Sequence, residues 1–258
     1  MLTTGMVSSS SNPDTFVDLS HPLDQRTRVY PGDPPFSYTP HLTVPNDGCS
    51  VHALALSSHA GTHIDAPSHF FDRLPTIDQL PISTFIRPAV VLDLSHKRPR
   101  EPISWSDMSA LIDASASEHQ RRGQVGLEPG TAVLVFTGWS RFWGMEQYFD
   151  HPWIEREAAE RLVAMGVTAI GSDTMSPDQM PRAQGGVGGE GLPETGFGVH
   201  EVVLGAGGII AENLTNLDKL KDMQDGLGAQ EGAIMVSLVP LRIAGCDGSP
   251  VRAFAWKK

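Results

Sequence analysis

The chain has 258 residues, of which 40% are hydrophobic, and a formal net charge of -11 at pH 7 with histidines counted as neutral. That bulk is enough to bury a substantial core in one domain, and so large an acidic excess argues against a nucleic-acid or anionic-membrane partner. No apolar stretch is long enough to span a bilayer, and two cysteines, Cys49 and Cys246, fit a reduced, cytoplasmic setting.

Residues 1–15 are rich in Ser and Thr, without a basic start or a long apolar run, and predict a disordered tail rather than a secretory signal. Residues 16–258 are expected to form a single domain. Phe16 to Leu19 reads as a short strand that ends at Ser20-His21-Pro22, and Tyr30 to Pro35 is turn-rich. Next comes the densest stretch of the chain, Ser58 to Phe70, which gathers His59, His63, Asp65 and His69. A regular helix would turn Asp65 away from His59 and His63, and a regular strand would spread His59 and Asp65 over roughly 20 Å. One metal needs its ligand atoms at about 2.0–2.2 Å, so the segment must curl, and Gly61 and Pro67 supply the bends. A lone histidine is more often an ordinary surface or core residue, but that reading leaves Asp65 and His69 unexplained.

Ala89 to Leu94 and Thr131 to Phe136 are apolar and rich in β-branched residues, as buried strands are. A helix is expected from about Trp105, capped by Ser104, with Trp105, Met108, Leu111 and Ile112 as its core face. Pro152 predicts the first turn of a second helix, which Gly166 ends. Val167 to Ile170 is a strand leading to Asp173, which can cap a turn or stand near a substrate. The glycine-rich stretch within Pro181 to Phe197 lacks the helix and lysine of a phosphate cradle and is expected to be a mobile loop near the site. Ala233 to Val239 and Val251 to Trp256 are further strands.

The run His59-Ala60-Gly61-Thr62-His63-Ile64-Asp65-Ala66-Pro67-Ser68-His69-Phe70 resembles the HxGTHxDxPxHF signature of the cyclase superfamily, which includes bacterial kynurenine formamidase and isatin hydrolase. Three more stretches match: Tyr30 to Pro34, Thr137 to Trp143, and His200 with Glu212-Asn213-Leu214. The resemblance covers nearly everything after the first fifteen residues. It implies an α/β fold of the swivelling β/β/α kind, a small-molecule substrate and a homodimer or higher homo-oligomer. It also implies that His59, His63 and Asp65 bind a first metal, that His200 binds a second, and that Asp65 and Glu212 bridge the two. His69 would be the general acid/base outside the metal shell. Tyr30 would face the substrate, while Trp139 is either a wall of the substrate pocket or a packed aromatic.

Imidazole and carboxylate donors without a thiolate fit Zn or Mn, as one or two ions per subunit. Such ions lower the pKa of water from about 15.7 towards 7, and an imidazole can take a proton from water and return it to a leaving group. The expected activity is hydrolysis of a C–N bond in a small cyclic or aryl amide, of the isatin or N-formylkynurenine type. A lactone substrate, a metal-dependent cyclase or dehydratase, and an inert metal-holding binder are the alternatives.

Overall fold

A computed structural model describes residues 16–122, 127–183, 186–187, 194–227 and 233–258. The expected tail at residues 1–15 and most of the glycine-rich stretch lie outside them. In chain order the strands begin with β1 (Phe16–Asp18), β2 (Ser37–Leu42), β3 (Val51–Ala55), β4 (His63–Asp65) and β5 (Ile86–Asp93). They continue with β6 (Pro102–Ile103), β7 (Ala132–Phe136), β8 (Trp153–Ile154), β9 (Ala169–Ser172), β10 (Arg182–Ala183) and β11 (Gly186–Val187). The last four are β12 (Ile209–Glu212), β13 (Ile234–Ser237), β14 (Gly248–Pro250) and β15 (Phe254–Lys257). The helices are α1 (Val44–Asp47), α2 (Trp105–Arg122), α3 (Arg156–Ala164), α4 (Gly198–Gly205) and α5 (Leu217–Asp225).

One nine-stranded sheet runs in the order β1-β15-β13-β5-β7-β9-β12-β4-β14. Its middle, β5-β7-β9-β12, is parallel, and the flanking pairs are antiparallel. Continuous apolar runs form this middle because both of its faces are covered. Ala89, Val91, Leu134 and Ala211 pack on one side with Leu217 and Leu220 of α5. Val90, Leu92, Val133, Val135 and Ile210 pack on the other against Met108, Leu162 and Val203 of α2, α3 and α4. Each fully buried aliphatic side chain contributes about 1.5–3 kcal/mol, and β12, which ends at Glu212, belongs to this buried middle. The fold class is the α/β one expected.

Some expectations are corrected. Pro152 is not in a helix: Trp153–Ile154 pairs with Pro102–Ile103 as a two-residue strand, and α3 starts only at Arg156. Its stop is as read, with Met165 as the cap and Gly166 at φ 86°. Ser104 does serve α2, exchanging hydrogen bonds with Asp107.

Candidate metal centre

The His59–Phe70 segment takes three conformations in succession. A turn through His59 closes with Gly61 at φ 66°, where a Cβ would collide with the Leu23 side chain. His63–Asp65 is then a true strand, and Pro67–His69 is a single 3₁₀ turn. The segment therefore curls on either side of a short strand, and the strand puts His63 and Asp65 on one face. The turn is tied to the end of β12, since Thr62 Oγ1 donates to the Asn213 carbonyl at 2.6 Å and Asn213 Nδ2 donates to the Gly61 carbonyl at 2.9 Å. Asn213 itself sits at φ 56°, with its Oδ1 accepting from Tyr148 Oη at 2.9 Å.

β4 lies between β12 and β14, and in its register with β12 His63 faces Glu212. His63 Nε2 is 3.3 Å from Asp65 Oδ1 and 3.2 Å from Glu212 Oε2. Helix α4 brings His200, whose Nε2 is 3.5 Å from Asp65 Oδ2 and 3.3 Å from Glu212 Oε1. His59 Nδ1 is 2.7 Å from Asp65 Oδ1. The structure thus brings together His59, His63, Asp65, His200 and Glu212.

The far sides of the rings show which nitrogens face inward. His63 Nδ1 is 2.8 Å from the Gly61 carbonyl, and His200 Nδ1 is 2.6 Å from Asp178 Oδ2. Both partners only accept, so both Nδ1 atoms carry a proton and both Nε2 atoms face the centre, where each would offer a lone pair to an ion that displaces its own proton. His63 Nε2, Asp65 Oδ2 and Glu212 Oε1 are buried, and their close contacts lack hydrogen-bond geometry.

Buried polar atoms without hydrogen bonds are costly, and a cation placed among them removes that cost. The proton affinities point the same way. Burial opposes charge on His63, yet Asp65 and Glu212 lift its pKa to about 10. Burial opposes charge on His59 too, but hydrogen bonds to Asp247 and Asp65 raise it to about 9. Burial would push the Asp65 carboxyl up, but His200, His59 and His63 hold it well below the usual range. The donor atoms of His63, Asp65 and Glu212 lie within 4.8 Å of one another, as do those of His59, Asp65 and His69. These residues fit a divalent cation with nitrogen and oxygen ligands.

A cavity of about 200 Å³ opens over the cluster, with His59, His69, His200 and Glu212 in its lining. Its other walls are Tyr30, Phe70 and Phe197, with Asp33 and Ser176. Phe70 stacks on the His200 ring at 4.8 Å. The Tyr30 hydroxyl is buried without a hydrogen-bond partner among the described residues, and burial, then Glu212, raises its pKa to about 12, so it stays protonated and can donate to a ligand.

Trp139 is not brought to this cavity. It is 1% exposed, packs with Tyr148, Phe149, Met175 and Met180, and donates its indole N–H to the Gln147 carbonyl. Of its two readings, the structure favours the packed aromatic. Asp173 caps the same turn by accepting from the Thr137 and Trp139 amides and the Thr137 hydroxyl. Two carboxylates were missed in the sequence. Asp178 accepts from the Val199 and His200 amides as well as from the His200 ring, and Asp247 meets His59 and His69. Neither has a spacing signal, because each reaches its partners through tertiary packing.

Residues 17–179 match the Cyclase family model, and the chain belongs to that family. It is 30% identical to the kynurenine formamidase of Geobacillus thermodenitrificans over 241 residues, covering 92% of this chain and 95% of that protein. It is 29% identical to the kynurenine formamidase of Paracidovorax citrulli over 250 residues, covering 94% and 97%. Among solved structures, isatin hydrolase A from Labrenzia aggregata superposes with a TM-score of 0.73 at 25% identity, covering 93% of this chain and 92% of that one. A further isatin hydrolase, bound to the product analogue thioisatinate, shares the fold with a TM-score of 0.74 at 24% identity, over 93% and 91% of the two chains.

Proposed function

We propose that this protein is a metal-dependent hydrolase that opens a C–N bond in a small cyclic or aryl amide. One observation carries the reading: His59, His200 and Glu212 of the donor cluster line one cavity together with His69, and Tyr30, Phe70 and Phe197 wall it. The family relatives named kynurenine formamidase and isatin hydrolase support it.

His59, His63, Asp65, His200 and Glu212 would hold one or two ions, Zn or Mn. A bound ion supplies Lewis acidity, lowering the pKa of water from about 15.7 to about 7 and polarising a carbonyl. Asp65 and Glu212 offset the positive charge gathered there. The aromatic walls hold a flat substrate with its carbonyl toward the donors, and the Tyr30 hydroxyl gives it a hydrogen bond. His69 takes one proton of the attacking water at Nε2, its Nδ1 being engaged by Asp247 at 3.0 Å. A C–O bond forms, the C–N bond breaks, and His69 returns the proton to the departing nitrogen.

A homodimer belongs to the same proposal, supported by Tyr38, Val51 and Leu54, which the β2–β3 hairpin exposes; light scattering on the eluted protein tests it. The reaction is tested with isatin and N-formylkynurenine in ¹⁸O-labelled water. The expected product carries one labelled oxygen; turnover without label would contradict hydrolysis and favour a lyase.

A further inference from the structure

Asp247 lies outside the histidine motif, yet one of its oxygens meets two of the motif's rings. Its Oδ2 is 3.0 Å from His59 Nε2 and 3.0 Å from His69 Nδ1, while Oδ1 accepts from Ser58 Oγ at 2.9 Å. The two rings lie with centroids 4.0 Å apart. An ionised carboxylate only accepts hydrogen bonds, so both facing nitrogens carry protons. The rings are therefore held in opposite senses: His59 turns Nδ1 toward Asp65, and His69 keeps Nε2 free of the carboxylate.

The backbone around Asp247 leaves it little room to move. Its carbonyl accepts from the Ala66 amide at 2.8 Å, and Gly248 pairs with Asp65 across β14 and β4. A side chain at Gly248 would put its Cβ 2.8 Å from His59 Cε1 and 2.8 Å from the Ile64 carbonyl, so only glycine lets the strand lie this close. The carboxylate is thus fixed to the same strand that bears His63 and Asp65.

We infer that Asp247 is the positioning residue of this site. It fixes His69 as the Nδ1–H tautomer with Nε2 available for proton transfer, and it holds the His59 ring with Nε2–H on the carboxylate and Nδ1 facing Asp65, where a bound ion would take the place of the Nδ1 proton. The role of His69 in this inference rests on the proposed hydrolysis, whereas the two tautomers depend on no substrate.

The test uses long-range ¹H–¹⁵N correlation spectra of the zinc-loaded full chain labelled in histidine, with His69→Gln to assign the ring. The expected spectrum shows His69 protonated at Nδ1 with a bare Nε2, and His59 protonated at Nε2. A His69 ring bare at Nδ1 would overturn the inference, whether or not any amide is turned over. In Asp247→Asn assayed at saturating zinc, kcat on the amide substrate is expected to fall about 10- to 100-fold, with KM unchanged and the Nε2–H form of His69 gaining population. An unchanged kcat together with an unchanged His69 tautomer would count against it. If that variant does not fold, the wild-type spectrum alone decides.

Discussion

His63 stands directly opposite Glu212 in the β4–β12 pair, with His63 Nε2 3.2 Å from Glu212 Oε2. Facing residues of an antiparallel pair hold their Cβ atoms about 4.5–5.5 Å apart, so strand register sets the separation of these two donors. Asp65 follows two residues on, on the same face, and His200 closes the group from α4. The centre is thereby built on two strands that are each paired on both sides within the sheet.

Protons and metal compete for this centre. Without metal, burial is outweighed by the carboxylates, and His59 and His63 have pKa values raised to about 9 and about 10. At pH 7, below both values, the metal-free rings hold the protons that an ion must displace. Zinc binding is predicted to release protons and to strengthen as pH rises from 6 to 8. Calorimetry in buffers of different ionisation enthalpy measures the release; binding with no proton release would contradict this account of the cluster.

His69→Ala is predicted to keep the fold and the metal while turnover falls by about 10²- to 10⁴-fold, the usual contribution of a positioned acid or base. Metal analysis and kcat measured on one preparation check this. Full activity would remove His69 from the chemistry.

Asp178→Asn is predicted to weaken metal binding about 10- to 100-fold by releasing the His200 ring. The same change weakens the acceptor for the Val199 and His200 amides at the start of α4, so a stability loss of about 1–3 kcal/mol accompanies it. Competition with a chelator and denaturant titration read the two effects separately.

Trp139→Ala is predicted to cost about 3–5 kcal/mol of stability, as for other buried aromatics, with no selective rise in KM. Urea unfolding beside steady-state kinetics tests it. A raised KM at unchanged stability would make Trp139 a wall of the substrate cavity instead.

Much of the site was legible because its signal is local. His59, His63, Asp65 and His69 occur within one segment, and Gly61 and Pro67 bend the chain where the motif requires. The central strands were legible because burial on both faces demands runs such as Ala132 to Phe136. The β2–β3 hairpin was not, since its residues are largely exposed and carry no alternating pattern. α5 was missed because only Leu217 and Leu220 of its nine residues are buried. Pro152 misled because helix starts and short strands both accept proline, and the pairing of Trp153–Ile154 with Pro102–Ile103 decided between them. Asp178 and Asp247 reach their histidines across 22 and 178 residues of chain, a proximity that only the folded packing creates.

The most direct test of the central claim is the metal content of protein purified without added metal, compared with His59→Ala and Glu212→Ala. The account predicts bound Zn or Mn in the parent protein, lost in both folded variants together with amide turnover. A folded parent protein that neither carries nor takes up a divalent ion would contradict it.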